Sequence, residues 1–300
     1  MKKGWLTLLI LTIVGILLTA TGLALGGAQK ELYIDMAGIH LNESLKTIET
    51  VKTDIGEITE LEISAASSNI KIIPSDTYGF KLNSYSNNNW FEYTFENGKL
   101  EVTQKHRFSW NILNLMFNFK IDTIEIYLPK DAALKNTDIK VTSGNLNADG
   151  LDCDDISVKM TSSTISMKEI VSKTISLACI SGTVTLSDCS ADKFDFDFTS
   201  SQLTATGIQS KAMTLNGISG DATIDGQIQG NTKINVVSGA INLNISGSKE
   251  NYAFASSVIS GSVFVDGNRA NGSFINAAAE NTVDINVTSG TVRVNFSDKK

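Results

Sequence analysis

The residues whose types and spacing could carry chemistry are two histidines, three cysteines and two groups of aspartates. His40 and His106 stand far apart in the chain, and no HExxH, GxSxG, P-loop or GxGxxG context surrounds them. A Ser/His mechanism would need a third residue to orient the base, and the sequence implies none. Cys153, Cys179 and Cys189 are odd in number and lack metal-ligand spacing. They read as buried free thiols acting as small hydrophobes, with a 179–189 or 153–179 disulfide as the alternative. Asp195 and Asp197 alternate with Phe194, Phe196 and Phe198, while Asp149, Asp152, Asp154 and Asp155 gather at a turn. Either set could bind Ca²⁺ weakly or supply an acid and a base to cleave a polysaccharide. Neither recurs in columns as an acidic groove would require, so solvated surface is the expectation. No cofactor, metal site or catalytic residue is expected.

The least ordinary segment is His106–Lys120, where Phe108, Trp110, Leu113, Met116, Phe117 and Phe119 crowd into a dozen residues. Such a cluster either packs over one end of a β structure or serves as an interaction surface. A net charge of −7 without a Lys/Arg cluster excludes nucleic acid as a partner.

The elements that must position these residues follow from one repeat. From residue 143 the pattern Ser, Gly or Ser, any residue, apolar, any residue, apolar recurs. The corners Ser143-Gly144, Ser162-Ser163, Ser181-Gly182, Ser200-Ser201, Ser219-Gly220 and Ser238-Gly239 follow each other at steps of 19 residues. Ser260-Gly261 and Ser289-Gly290 continue it at steps of 22 and 29. A fixed period of this size means stacked supersecondary units. Alternation of period two makes the units strands. Apolar columns run two and four residues before each Ser, and three, five and eight after it. One unit buries too little to fold alone. Stacked units fuse their columns into one core, which predicts an all-β parallel solenoid, right-handed by the usual crossover rule. Gly at the corner is read as the residue that tolerates positive φ, with Ser163 and Ser201 departing from strict left-handed geometry.

Before the repeats, strand-like runs cover Ile58–Ile63, Ile70–Ile73, Phe80–Tyr85, Trp90–Phe95, Lys99–Gln104 and Ile121–Leu128, with Asn97-Gly98 as a hairpin turn. They predict a first rung and an antiparallel cap. Lys2 and Lys3 precede an uncharged run from Trp5 to Leu25, long enough to cross a bilayer. It exceeds a signal-peptide core and lacks a clean A-x-A site, so a retained signal-anchor is expected over a cleaved leader. The expected organisation is a cytoplasmic N-terminus (1–4), a transmembrane helix (5–26), a stalk (27–50) with a helix near Asn42–Thr47, a β cap with the first rung (51–130), and the solenoid (131–300). The chain would then be a single-pass cell-membrane protein with its C-terminal domain extracytoplasmic.

With Ile70-Lys71-Ile72-Ile73-Pro74-Ser75, the aromatic run to Phe119, Ile124-Glu125-Ile126-Tyr127-Leu128-Pro129-Lys130 and the Ser-Gly corners in view, residues 55–296 resemble a known family. It is the putative-adhesin, β-strand-repeat domain of unknown function found in Gram-positive bacteria. The resemblance implies a membrane-anchored, non-catalytic envelope protein that binds a cell-wall polymer or another envelope protein. It also implies, as an alternative, an accessory of a Lia-type envelope-stress system. A polysaccharide-active β-helix enzyme is the third reading.

Overall fold

The computed structural model describes residues 12–21, 31–35, 38–42, 47–85, 89–106, 121–271, 274–275 and 279–297. Twenty strands account for nearly all of them: β1 (Glu31–Asp35), β2 (Gly38–Asn42), β3 (Ile48–Thr53), β4 (Glu60–Ser75), β5 (Gly79–Ser84), β6 (Asn89–Glu96), β7 (Lys99–His106), β8 (Asp122–Pro129), β9 (Ala133–Asp149), β10 (Asp152–Lys168), β11 (Val171–Ser187), β12 (Ser190–Ser219), β13 (Asp221–Ser238), β14 (Ala240–Ser246), β15 (Tyr252–Val258), β16 (Ser262–Val265), β17 (Asn268–Arg269), β18 (Phe274–Ile275), β19 (Asn281–Val287) and β20 (Thr291–Ser297).

The predicted stacking is present and in register. Val158 of β10 pairs with Ile139 on one side and Leu177 on the other, and Leu177 with Phe196, all in parallel steps of one repeat. The inward columns are fully buried, from Ile139 and Leu146 through Ile165, Val184 and Leu203 to Val292 and Val294. They join the cap residues Phe80, Leu82 and Leu100 in a single core. Phe194, Phe196 and Phe198 are buried while Asp195 and Asp197 between them face outward, so the alternation in the sequence is the alternation in space.

Each rung turns twice. At the Ser-Gly corner glycine is needed for more than φ. Gly144 and Gly182 do adopt φ of +136° and +138°. In addition, a Cβ on Gly182 would lie 1.8 Å from the Ser163 carbonyl, and one on Gly144 2.0 Å from that of Ser68. Gly220 has no positive φ, yet its Cβ would meet the Ser201 carbonyl at 2.3 Å. Close approach of stacked backbones is the shared requirement. Gly144, Gly182 and Gly220 each leave room for a serine carbonyl on the rung beneath, and Gly239 leaves room for the Gly220 carbonyl. Ser163 and Ser201 are not left-handed, and the Ser201 hydroxyl turns inward to donate to Cys179 O at 2.9 Å. The second turn escaped the sequence reading. Gly150, Glu169, Asp188 and Gly207 form a left-handed column with φ from 54° to 67°. The amides of Gly150, Glu169 and Asp188 each donate to a carbonyl one rung onward, at Lys168, Ser187 and Thr206.

The rung order at both ends differs from chain order. β4 pairs with β9 on one face and with β7 and β8 on the other, so the second N-terminal rung lies outermost. At the far end the expected succession 238, 260, 289 is corrected. β19 and β20 pair with β13 and β14, and β15 and β16 then stack on β19 and β20. The rung last in sequence is lodged between the two before it. Each rung carries the same columns, so the pattern identifies a rung without saying which neighbour receives it.

Both edges are covered by antiparallel strands. β6 pairs along β7 through the predicted Asn97-Gly98 turn, and β5 joins β8 to β3. β17 and β18 run back along β16 and β15, a second cap that the sequence reading did not foresee. Covering edge strands removes the template for unwanted pairing. Nearer the N-terminus, β1 and β2 form a hairpin within the expected stalk. Asn42 ends β2, and most of the helix expected near it lies outside the described residues. β3 begins at Ile48 and pairs with β5. Residues 12–21 are helical and exposed. Among the described residues no helix is long and apolar enough to cross a membrane, and the remainder of the predicted span lies outside them.

Candidate functional site

The candidate interaction residues Phe108, Trp110, Leu113, Met116, Phe117 and Phe119 lie outside the described residues. Their point of departure is well defined. β7 ends at His106 and β8 begins at Asp122, so the segment leaves the outermost rung where the other rungs turn their Ser-Gly corner. A side-chain splice takes the place of that corner. Gln104 Oε1 accepts the amides of Ala66 and Ser67, both at 2.9 Å. Its Nε2 donates to Ser67 O at 3.0 Å and to Asp122 Oδ2 at 2.7 Å. The Tyr85 amide donates to Asp122 Oδ1 at 2.8 Å. Ser68, Asn83, Ser84 and Asp122 are all buried here, half of the buried polar residues among the described ones. Gln104, Asp122 and the Tyr85 amide are mutually bonded, which fixes their geometry, whereas the Ser68 hydroxyl is left without a partner. The bonded set pins both ends of the aromatic segment to the N-terminal face of the solenoid.

Three of the six carboxylates considered for catalysis are engaged by neighbouring side chains. Asp195 is ion-paired with Lys193 at 2.7 Å, Asp154 with Lys173 at 2.8 Å, and Asp197 Oδ1 accepts from Asn216 Nδ2 at 2.7 Å. Lys99 bonds both Glu101 and Glu62 and holds the Glu101 carboxyl below the usual range. A glycosidic acid needs the opposite, a carboxyl held neutral. Among the described residues no three His, Cys, Asp or Glu side chains are arranged to hold a metal ion. His40 lies on β2 and His106 closes β7.

The three cysteines are free and buried, which corrects the disulfide alternative. Burial pushes the Cys153 and Cys189 thiols up, away from the reactive thiolate. A thiol-specific reagent should therefore leave all three unmodified in the native protein and label all three in guanidinium. Labelling in buffer alone would show that the rungs open locally.

Two polar ladders on the outer surface went unread. Asn216, Asn235 and Asn286 stack from Asp197, each amide donating to the rung before, at 2.7, 2.8 and 3.0 Å. Asn244 and Asn295 stack in the same way from Asp225. The recurrence of Asn or Asp three residues before Ser200, Ser219 and Ser238 was the available signal.

Fold and surface thus define an end-capped β-solenoid with buried free thiols and ion-paired surface acids such as Asp154 and Asp195. The chain belongs to the Toastrack DUF4097 family, whose model matches residues 58–295. Solved structures it is similar to include a putative adhesin from Bacteroides fragilis, at 13% identity over 85% of this chain and 98% of that one, with a TM-score of 0.43. Another is a putative adhesin from Parabacteroides distasonis, at 12% identity over 83% and 97%, with a TM-score of 0.46. A putative cell adhesion protein from Clostridium sporogenes matches at 14% identity over 85% and 99%, with a TM-score of 0.25. No curated protein matches the chain.

Proposed function

We propose that this chain is a non-catalytic, membrane-anchored envelope protein whose solenoid binds a component of the cell envelope. Its rigid body would display the segment between His106 and Ile121, with Phe108, Trp110, Leu113, Met116, Phe117 and Phe119 as contacts. The observation that carries the reading is the Gln104–Asp122 splice, a partly buried set of hydrogen bonds at the ends of that segment, where a plain corner would close the rung. Anchoring is supported by the exposed apolar helix at 12–21. Ile16, Leu17 and Leu18 are exposed there, and Thr19 and Thr21 satisfy their hydroxyls on Gly15 O and Leu17 O, as lipid requires.

The test is fractionation of cells making the full chain, a form lacking residues 1–30, and a form with Phe108, Trp110 and Phe117 changed to Ser. The full chain should pellet with membranes and need detergent for release, and the truncated form should be soluble. Crosslinking to envelope components should fall at least tenfold in the triple variant. An unchanged crosslinking pattern would remove the segment as the contact surface, and a soluble full chain would remove the anchor.

A further inference from the structure

Along the Ser-Gly corner of the last four rungs runs a groove of about 240 Å³. One wall is the asparagine ladder of Asn216, Asn235 and Asn286, and the other is an apolar ridge. Ile218, Val237 and Ile259 on that ridge are 53%, 48% and 81% exposed and line it together. No charged side chain lines the groove, in a chain of net charge −7.

The ladder has a chemical consequence. A carboxamide offers two N–H donors and two acceptor lone pairs. Asn235 spends one N–H on Asn216 Oδ1 and one lone pair on Asn286 Nδ2. Asn216 likewise spends one of each, on Asp197 and Asn235. Each therefore keeps one donor and one acceptor, and that pair recurs on successive rungs at the strand spacing of about 4.8 Å. Adjacent hydroxyls on a sugar ring present the complementary acceptor and donor, and the C–H face of the ring suits an aliphatic wall. An anionic or cationic ligand finds no counter-charge here, and a purely apolar one would strand the amides.

We infer that this groove binds an uncharged glycan chain lying along the solenoid axis, with Asn216 and Asn235 bonding its hydroxyls and Ile218, Val237 and Ile259 covering its apolar faces. The inference rests on the reading of the solenoid as a binding body and names one class of ligand for it.

The test is native affinity electrophoresis of the full chain in a non-ionic detergent. The gels contain dextran, galactomannan, a soluble β-glucan or, as a polyanion, polygalacturonate. The chain should be retarded in at least one neutral gel and not by the polyanion. Val237→Glu and Ile218→Glu replace exposed side chains and leave the core intact, as circular dichroism would verify, and each should weaken retardation at least tenfold. Migration unaffected by every neutral polymer, retardation equal in polygalacturonate, or retardation unchanged in both variants would each overturn the inference. Because the probes are soluble and added externally, such a failure removes the groove as a glycan site. It leaves the fractionation and crosslinking results of the envelope reading to stand or fall separately.

Discussion

Replacing Gly182 with alanine should destabilise the domain by about 3 kcal/mol or more, read as a lowered urea midpoint at unchanged slope. Two effects add. The backbone holds φ at +138°, where an L side chain is strained, and the new Cβ would sit 1.8 Å from the Ser163 carbonyl. That contact is with main chain, so relief requires two rungs to part, and parting them breaks the parallel ladder on which both depend. Gly220→Ala separates the two causes. Its φ is not positive, but its Cβ would meet the Ser201 carbonyl at 2.3 Å. It should still cost about 2 kcal/mol, within the usual range for a backbone-forced rearrangement. Gly217→Ala is the control. Its Cβ would find only Leu215 Cδ2, at 3.9 Å, and the substitution should be neutral or stabilise by about 0.5 kcal/mol through the unfolded state. If Gly220→Ala proved harmless while Gly182→Ala did not, backbone strain alone would explain the corner glycines.

Phe196→Ala should cost about 4 kcal/mol, the usual range for emptying a buried aromatic site. Phe196 is fully buried between Phe194 and Phe198, with ring centroids 5.5 and 5.9 Å away. Three aromatic rings line one half of this rung, and the returning half buries Leu203 and the small Ala205. The loss falls mid-array, where each rung is held only by its two neighbours. Thermal unfolding of the variant should move down by roughly 10 °C. Phe196→Leu should recover most of it. A loss below about 1 kcal/mol for Phe196→Ala would mean that the rungs slide to close the cavity and that their register is looser than the backbone pairing indicates.

Much of this fold is legible in the sequence because its core depends on only two numbers, the strand period and the repeat length. Val158, Leu177 and Phe196 align at steps of 19 and meet in space as neighbours. Where the repeat length changes, the sequence loses its hold. The steps of 22 and 29 after Ser238 show two more rungs, yet Val263 and Val292 fit equally well above Ile241. β19 and β20 nevertheless insert between β14 and β16, while β17 and β18 return antiparallel along β16 and β15. The left-handed turn column was hidden for another reason. Glu169 and Asp188 occupy positions that glycine fills at 150 and 207, so no constant residue type marks them. The polar splice at the base of the aromatic segment was invisible because it joins Gln104 to Asp122 across residues whose composition says nothing about which rung corner they replace.

The order of the rungs is tested most directly by cysteine pairing on the exposed ladder. Asn235 faces Asn286, and Asn286 faces Ser257, each pair directly opposed on adjacent parallel strands. Cα atoms so placed fall within disulfide reach, whereas residues two rungs apart do not. With Cys153, Cys179 and Cys189 replaced, mild oxidation should link Asn235→Cys to Asn286→Cys and Asn286→Cys to Ser257→Cys, as peptide mapping would show. The pair Asn235→Cys with Ser257→Cys should stay reduced. A rapid 235–257 bridge, with 235–286 absent, would mean that the rungs stack in simple chain order and that the interlocked end does not exist.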